Sequence, residues 1–69
     1  MKITLRAARV NMGLKQEQAA KLIGVTRGTI GNWEKGISFP DALSVQKIES
    51  VYGVAYDDLI FLPSKTLKA

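Results

Sequence analysis

Neither cysteine nor histidine occurs among the 69 residues. No disulfide or thiolate nucleophile is therefore available, and a transition-metal site would have to be built from carboxylates alone. We expect no metal and no cofactor. The six acidic residues include no convergent pair: Asp57 and Asp58 are adjacent in sequence, and the others are scattered. With no general base or nucleophile to work with, the chain is not expected to be an enzyme or to take a small-molecule substrate. The segments GLKQEQ and GVTRGTIG lack phosphate-loop spacing. No run approaches the roughly 20 apolar residues of a membrane span. Arg6 and Arg9 interrupt the N-terminus where a signal peptide would keep an apolar centre. The expected location is the cytoplasm, away from any membrane. At this length, with 46% hydrophobic residues, one small domain must draw its core from helix packing, with or without a partner subunit.

What is present is a lopsided distribution of positive charge. Residues 1–35 carry seven basic side chains against two acidic ones, a balance of +5, while residues 36–69 carry three against four, a balance of −1. Any single lysine is adequately explained as a solvated helix face. The asymmetry as a whole suits a surface that meets a polyanion.

The basic half contains the stretch around which the chain is organised, QEQAAKLIGVTRGTIGNWE, from Gln16 to Glu34. Ala19, Ala20 and Ile23 fall on one side of a helix over about 16–23. Ile30 and Trp33 give a second helix, about 27–35, its own buried stripe. Gly24 stands where the first helix must stop and the chain turn sharply, a position cheapest for glycine. Thr26 offers a hydroxyl to the orphan amides opening the second helix. Small alanines let the two axes approach closely. The pattern is a helix-turn-helix, with its second helix placed to enter a DNA major groove.

Around this stretch, Thr4 caps a first helix over 4–12, with Leu5, Ala8 and Met12 inward. Gly13 ends it and Leu14 folds back as an anchor. Gly36 closes the third helix, and after the loop Ile37-Ser38-Phe39-Pro40, Asp41 caps a fourth that Gly53 closes. Val45, Ile48 and Tyr52 share its inner face. A short fifth helix over about 55–61 would turn Leu59 inward and set Asp57 and Asp58 in its first turn, where they suit the helix dipole. No strand of useful length is expected. The domain spans 1–62, with a frayed tail over 63–69. The expected fold is all-α, a five-helix bundle.

From about Leu5 to Ile60 the chain resembles the phage-repressor-like helix-turn-helix domains of the Cro/CI or Xre type. The match rests on Gly13-Leu14, Gln16-Glu17, Ala20, Ile23-Gly24-Val25-Thr26, Thr29-Ile30, Trp33-Glu34, Gly36, Pro40, Gly53-Val54 and Asp58-Leu59, all in register. The resemblance implies a compact, lambda-repressor-like bundle of five helices that binds operator DNA as a dimer. It also implies that Arg9, late in the first helix, pairs with Glu34 at the end of the recognition helix, a structural ion pair. Such a pair has a small net worth but is costly to break from one side.

The expected base contacts are Arg27, which can fork onto guanine O6 and N7, and Asn32, whose amide fits adenine N6 and N7. Thr29 reaches either the groove or, through its methyl, the interior. The expected DNA-backbone contacts are Lys15, Gln16, Thr26, Gly28 and Lys35, with Gln16 at a helix start where anions are favoured. Lys15 departs from the family, which has Ser, Thr or Asn at this cap; a phosphate there would offset the lost cap and the misplaced cation. Gly28 and Gly31 also depart, standing where longer polar side chains are usual. They imply thin direct readout supplemented by DNA shape, or a regulator working through a protein partner. Ile37, Phe39, Leu43, Phe61 and Leu62 exceed what so small a core can bury and form a candidate dimer or partner surface.

The expected function is a sequence-specific DNA-binding transcriptional regulator on a pseudo-palindromic operator, bound to double-stranded DNA as a homodimer. The alternative is a protein-interaction module of a phage genetic switch, an antirepressor or antitoxin acting through a partner. The start at Met1 favours a complete small regulator over a domain cut from a longer one.

Overall fold

The computed structural model describes residues 2–61. Four helices carry the fold: α1 (Leu5–Asn11), α2 (Gln16–Ile23), α3 (Arg27–Lys35) and α4 (Ala42–Tyr52). Their starts follow the cap chemistry. Thr4 Oγ1 accepts from Ala7 N at 3.1 Å, Thr26 Oγ1 from Thr29 N at 3.2 Å and Asp41 Oδ1 from Ser44 N at 2.8 Å. The turn between α2 and α3 depends on Gly24, whose φ of 93° lies in the left-handed region that side chains with a Cβ avoid.

The core lies where α2 meets α3 and α4. Ala19 and Ala20 are buried at this crossing, and their small size lets Ile23, Ile30 and Ile48 close over them with Trp33 and Tyr52. Leu14, Val51 and Phe61 pack against this cluster while partly exposed. Arg9 is the one charged residue among those buried in the described structure.

Two expectations are corrected. The segment expected as a fifth helix is a single 3-10 turn, Tyr56–Asp58, followed by a two-residue strand, β2 (Leu59–Ile60). β2 pairs in parallel with β1 (Ile3–Thr4), with Ile3 opposite Leu59. Ile60 and Phe61 favour extended backbone, which stops the helix after its first turn. Pairing with β1 satisfies the backbone while keeping Leu59 inward. With no helix there, no dipole remains for Asp57 and Asp58 to complement. Met12 is the second correction: α1 ends at Asn11, so Met12 leaves the helical register and is 51% exposed, while Arg9 takes the inward place. Of the face shared by Val45, Ile48 and Tyr52, Val45 is half-buried and the other two are buried. Leu62 and the tail expected over 63–69, with the boundary between them, lie outside the described residues.

Candidate nucleic-acid interface

At about 100° per residue, Arg27, Gly28, Gly31, Asn32 and Lys35 occupy roughly 140° of the circumference of α3, opposite Ile30 and Trp33. The inward pair is buried, and Arg27, Asn32 and Lys35 are exposed. The five outer residues, together with Gln16 of α2, line a shallow cleft of about 310 Å³. A helix anchored by its apolar stripe thus presents a polar, cationic outer face.

Thr26 and Thr29 are tied to one another. Their hydroxyl oxygens lie 3.0 Å apart, in addition to the cap bond from Thr29 N. Thr29 is half-buried, so its hydroxyl is held at the first turn of α3 rather than standing free on the outer face.

Gln16 is held as well. Its Nε2 donates to Glu34 Oε1 at 3.1 Å, which spans from the first residue of α2 to the last turn of α3. Glu34 is in turn fixed by Arg9, with Nε to Oε2 at 2.6 Å and Nη2 to Oε1 at 3.2 Å, and Arg9 Nη1 donates to the Leu14 carbonyl at 2.8 Å. This network locks α3 to α1 and α2. The hydrogen bond to Glu34 makes Arg9 hold its proton more firmly than an ordinary arginine. Nearby Tyr52 has its phenol pushed up to about 12, by burial first and by the Glu34 charge second. The Gln16 amide thus keeps one N–H and its carbonyl for an external partner.

Lys15 precedes α2 with extended backbone. Its N–H donates to Gln18 Oε1 at 2.8 Å, half of a capping box. An ammonium has no lone pair with which to return the bond, so the first amides of α2 stay uncapped from that side. Lys15 is exposed at the same end of α2 as Gln16.

Gly28 and Gly31 have no internal reason to be glycine. Neither has a positive φ, and a Cβ would meet only Thr26 Oγ1 at 3.9 Å and Gln16 Nε2 at 3.8 Å, both ordinary contacts.

Elsewhere on the surface, Phe39, Pro40, Ala42, Val45, Tyr56 and Phe61 line an apolar cleft of about 650 Å³. Phe61 meets Phe39 edge-on at 6.2 Å and Tyr56 at 5.7 Å. Ile37 and Leu43 are exposed. Phe39 and Phe61 are therefore brought together; Leu62 is outside the described residues.

The sequence reading missed Arg6, which with Arg9, Gln16, Gly31, Glu34 and Lys35 lines a second cleft of about 370 Å³ beside the first. The available signal was its spacing: Arg6 precedes Arg9 by three residues and so lies one helical turn away on the same side of α1. Among the described residues no helix is long and apolar enough to cross a membrane.

A family model described as helix-turn-helix matches residues 5–59. The chain is 38% identical over 56 residues to RstR, a transcriptional repressor of the cryptic phage CTXphi of Vibrio cholerae, covering 81% of this chain and 50% of the relative. It is 32% identical over 56 residues to a transcriptional regulator of helix-turn-helix type derived from the SPbeta prophage of Bacillus subtilis, covering 81% and 52%. The chain thus spans about half the length of these two relatives. A regulator of helix-turn-helix type from Archaeoglobus fulgidus is 34% identical over 67 residues, covering 97% of this chain and 96% of the relative.

Proposed function

The chain belongs to the helix-turn-helix family, whose members matched here are transcription regulators rather than enzymes, and on that premise we propose that it is a sequence-specific DNA-binding regulator. One observation carries this reading: the exposed face of α3 gathers Arg27, Asn32 and Lys35 around a cleft whose floor is bare backbone at Gly28 and Gly31. Laid in a major groove, α3 sets Arg27 and Asn32 about 7.5 Å apart along its axis, close to two base-pair steps. Arg27 pairs with guanine and Asn32 with adenine, with Thr29 beside them at the first turn of α3. Lys15, Gln16, Thr26, Gly28 and Lys35 hold the sugar-phosphate backbone, and the free N–H of Gln16 serves one phosphate. Ile37, Phe39, Leu43 and Phe61 form the seam of a homodimer that sets two recognition helices on a pseudo-palindromic operator.

The test is a pull-down of genomic DNA fragments by the wild type and by an Arg27→Ala/Asn32→Ala variant, with binding titrated against salt. Recovery of one short palindromic sequence, lost in the double variant, supports base readout. Salt-sensitive binding without preference reduces the role to phosphate contacts, and absence of binding overturns the reading. Sedimentation with and without that DNA checks the dimer. The apolar cleft at Phe39, Tyr56 and Phe61 favours a second reading, in which the domain acts by holding another protein. Retained partner binding in the Arg27→Ala/Asn32→Ala variant would select it.

A further inference from the structure

The geometry points to Arg6, on α1 and outside the helix-turn-helix, as a further contact to the DNA backbone that forms with Lys35 a two-cation seat for one phosphate. This inference rests on the DNA-binding reading above and extends the footprint to a third helix.

Arg6 and Lys35 come from different helices, α1 and α3, yet line one cleft of about 370 Å³. The one carboxylate in that cleft belongs to Glu34, and its charge is already engaged. Arg9 holds Glu34 through two hydrogen bonds at 2.6 and 3.2 Å, and the Gln16 amide takes up its remaining front. Arg9 and Glu34 cancel, which leaves the cleft with the two charges of Arg6 and Lys35. Both side chains are exposed, and among the described residues neither has an ion-pair partner. Gln16, Gly31 and Lys35 line this cleft and the one along the outer face of α3 alike, so the two adjoin. An anion seated between Arg6 and Lys35 therefore lies beside the face that meets the bases. A phosphodiester is the ligand that such a seat suits: two cationic donors line one cleft, and an arginine fork can take two phosphate oxygens at once.

The experiment measures affinity for a short duplex of random sequence across a salt series, because a phosphate contact is independent of sequence. Arg6→Ala should lower the slope of log affinity against log salt by about 0.9 and weaken binding several-fold at low salt. Arg6→Lys should keep the wild-type slope. Thermal midpoints should be unchanged in both variants, since Arg6 is exposed. An Arg6→Ala variant with the wild-type slope overturns the inference while leaving DNA binding in place. A wild-type protein that binds no duplex overturns the DNA-binding reading itself, and this inference falls with it.

Discussion

Arg9 Nε and Glu34 Oε2 stand 2.6 Å apart with their side chains only 9% and 7% exposed, the last turn of α3 fastened to α1. Removing one partner strands the other charge out of water. Arg9→Met is expected to cost about 3–5 kcal/mol, a large part of the stability of a domain this small. It also frees the Leu14 carbonyl that Arg9 Nη1 serves. Arg9→Met/Glu34→Leu should recover most of that loss. Urea denaturation of the two variants and the wild type decides it: equal losses in single and double variants would mean that the pair is not what holds α3.

Lys15→Thr should move stability and DNA affinity in opposite directions. A hydroxyl at this cap can accept from the first turn of α2 where an ammonium cannot, and it removes a cation from the positive end of the helix. The gain is about 1 kcal/mol. If Lys15 holds a phosphate, affinity falls and the salt dependence becomes shallower in the same variant. Calorimetry and a salt titration on one preparation test both halves.

Gly31→Ala is expected to raise the stability of the free protein by about 1 kcal/mol, since its Cβ would meet only Gln16 Nε2, at 3.8 Å. Gly28→Ala should gain less, because it lies at the second position of α3. Each new methyl also stands on the face proposed to lie against DNA, so binding should weaken as the melting temperature rises. A stabilised variant with undiminished affinity would remove close backbone approach as the reason for these glycines.

Tyr52 supplies a pH dependence at the alkaline end. Its phenol is pushed up to about 12 in the fold, against about 10 for an unfolded tyrosine. The folded state therefore keeps the proton that the unfolded chain releases. The contribution is fully present below about pH 10 and is lost as the pH rises towards 12. Stability measured by denaturant between pH 9 and 12 should fall more steeply for the wild type than for Tyr52→Phe. Parallel curves would show that Tyr52 ionises alike in both states.

Local chemistry was legible in the residues themselves, whereas a long-range pair such as Arg9 with Glu34 could be read only through the family resemblance. Thr4, Thr26 and Asp41 act within three residues of themselves, and Gly24 acts on its own backbone, so their positions can be read directly. The spacing of Ala19, Ala20, Ile23, Ile30 and Trp33 likewise marks the buried sides of α2 and α3. The pairing of Ile3 with Leu59 could not be read, because two-residue strands carry no periodicity and each depends on a partner at the far end of the domain. Met12 shows how a helix that ends one residue earlier than expected turns an inward side chain out. At the interface, the exposed arc of α3 follows from helical spacing, whereas the choice of the Gln16 amide depends on Glu34, eighteen residues away. Arg6 becomes visible only once α1 is seen to lie beside the end of α3.

The parallel pairing of β1 with β2 bears on how the molecule assembles. α2, α3 and α4 follow one another with short turns and can find each other early, at little cost in chain entropy. The clasp between Ile3 and Leu59 must instead close nearly the whole described chain into a loop before it returns a few backbone bonds. It is therefore the last contact made and the first released. In hydrogen exchange, the amides of β1 and β2 should open without the helices, while those of α2 and α3 should wait for the whole domain to unfold.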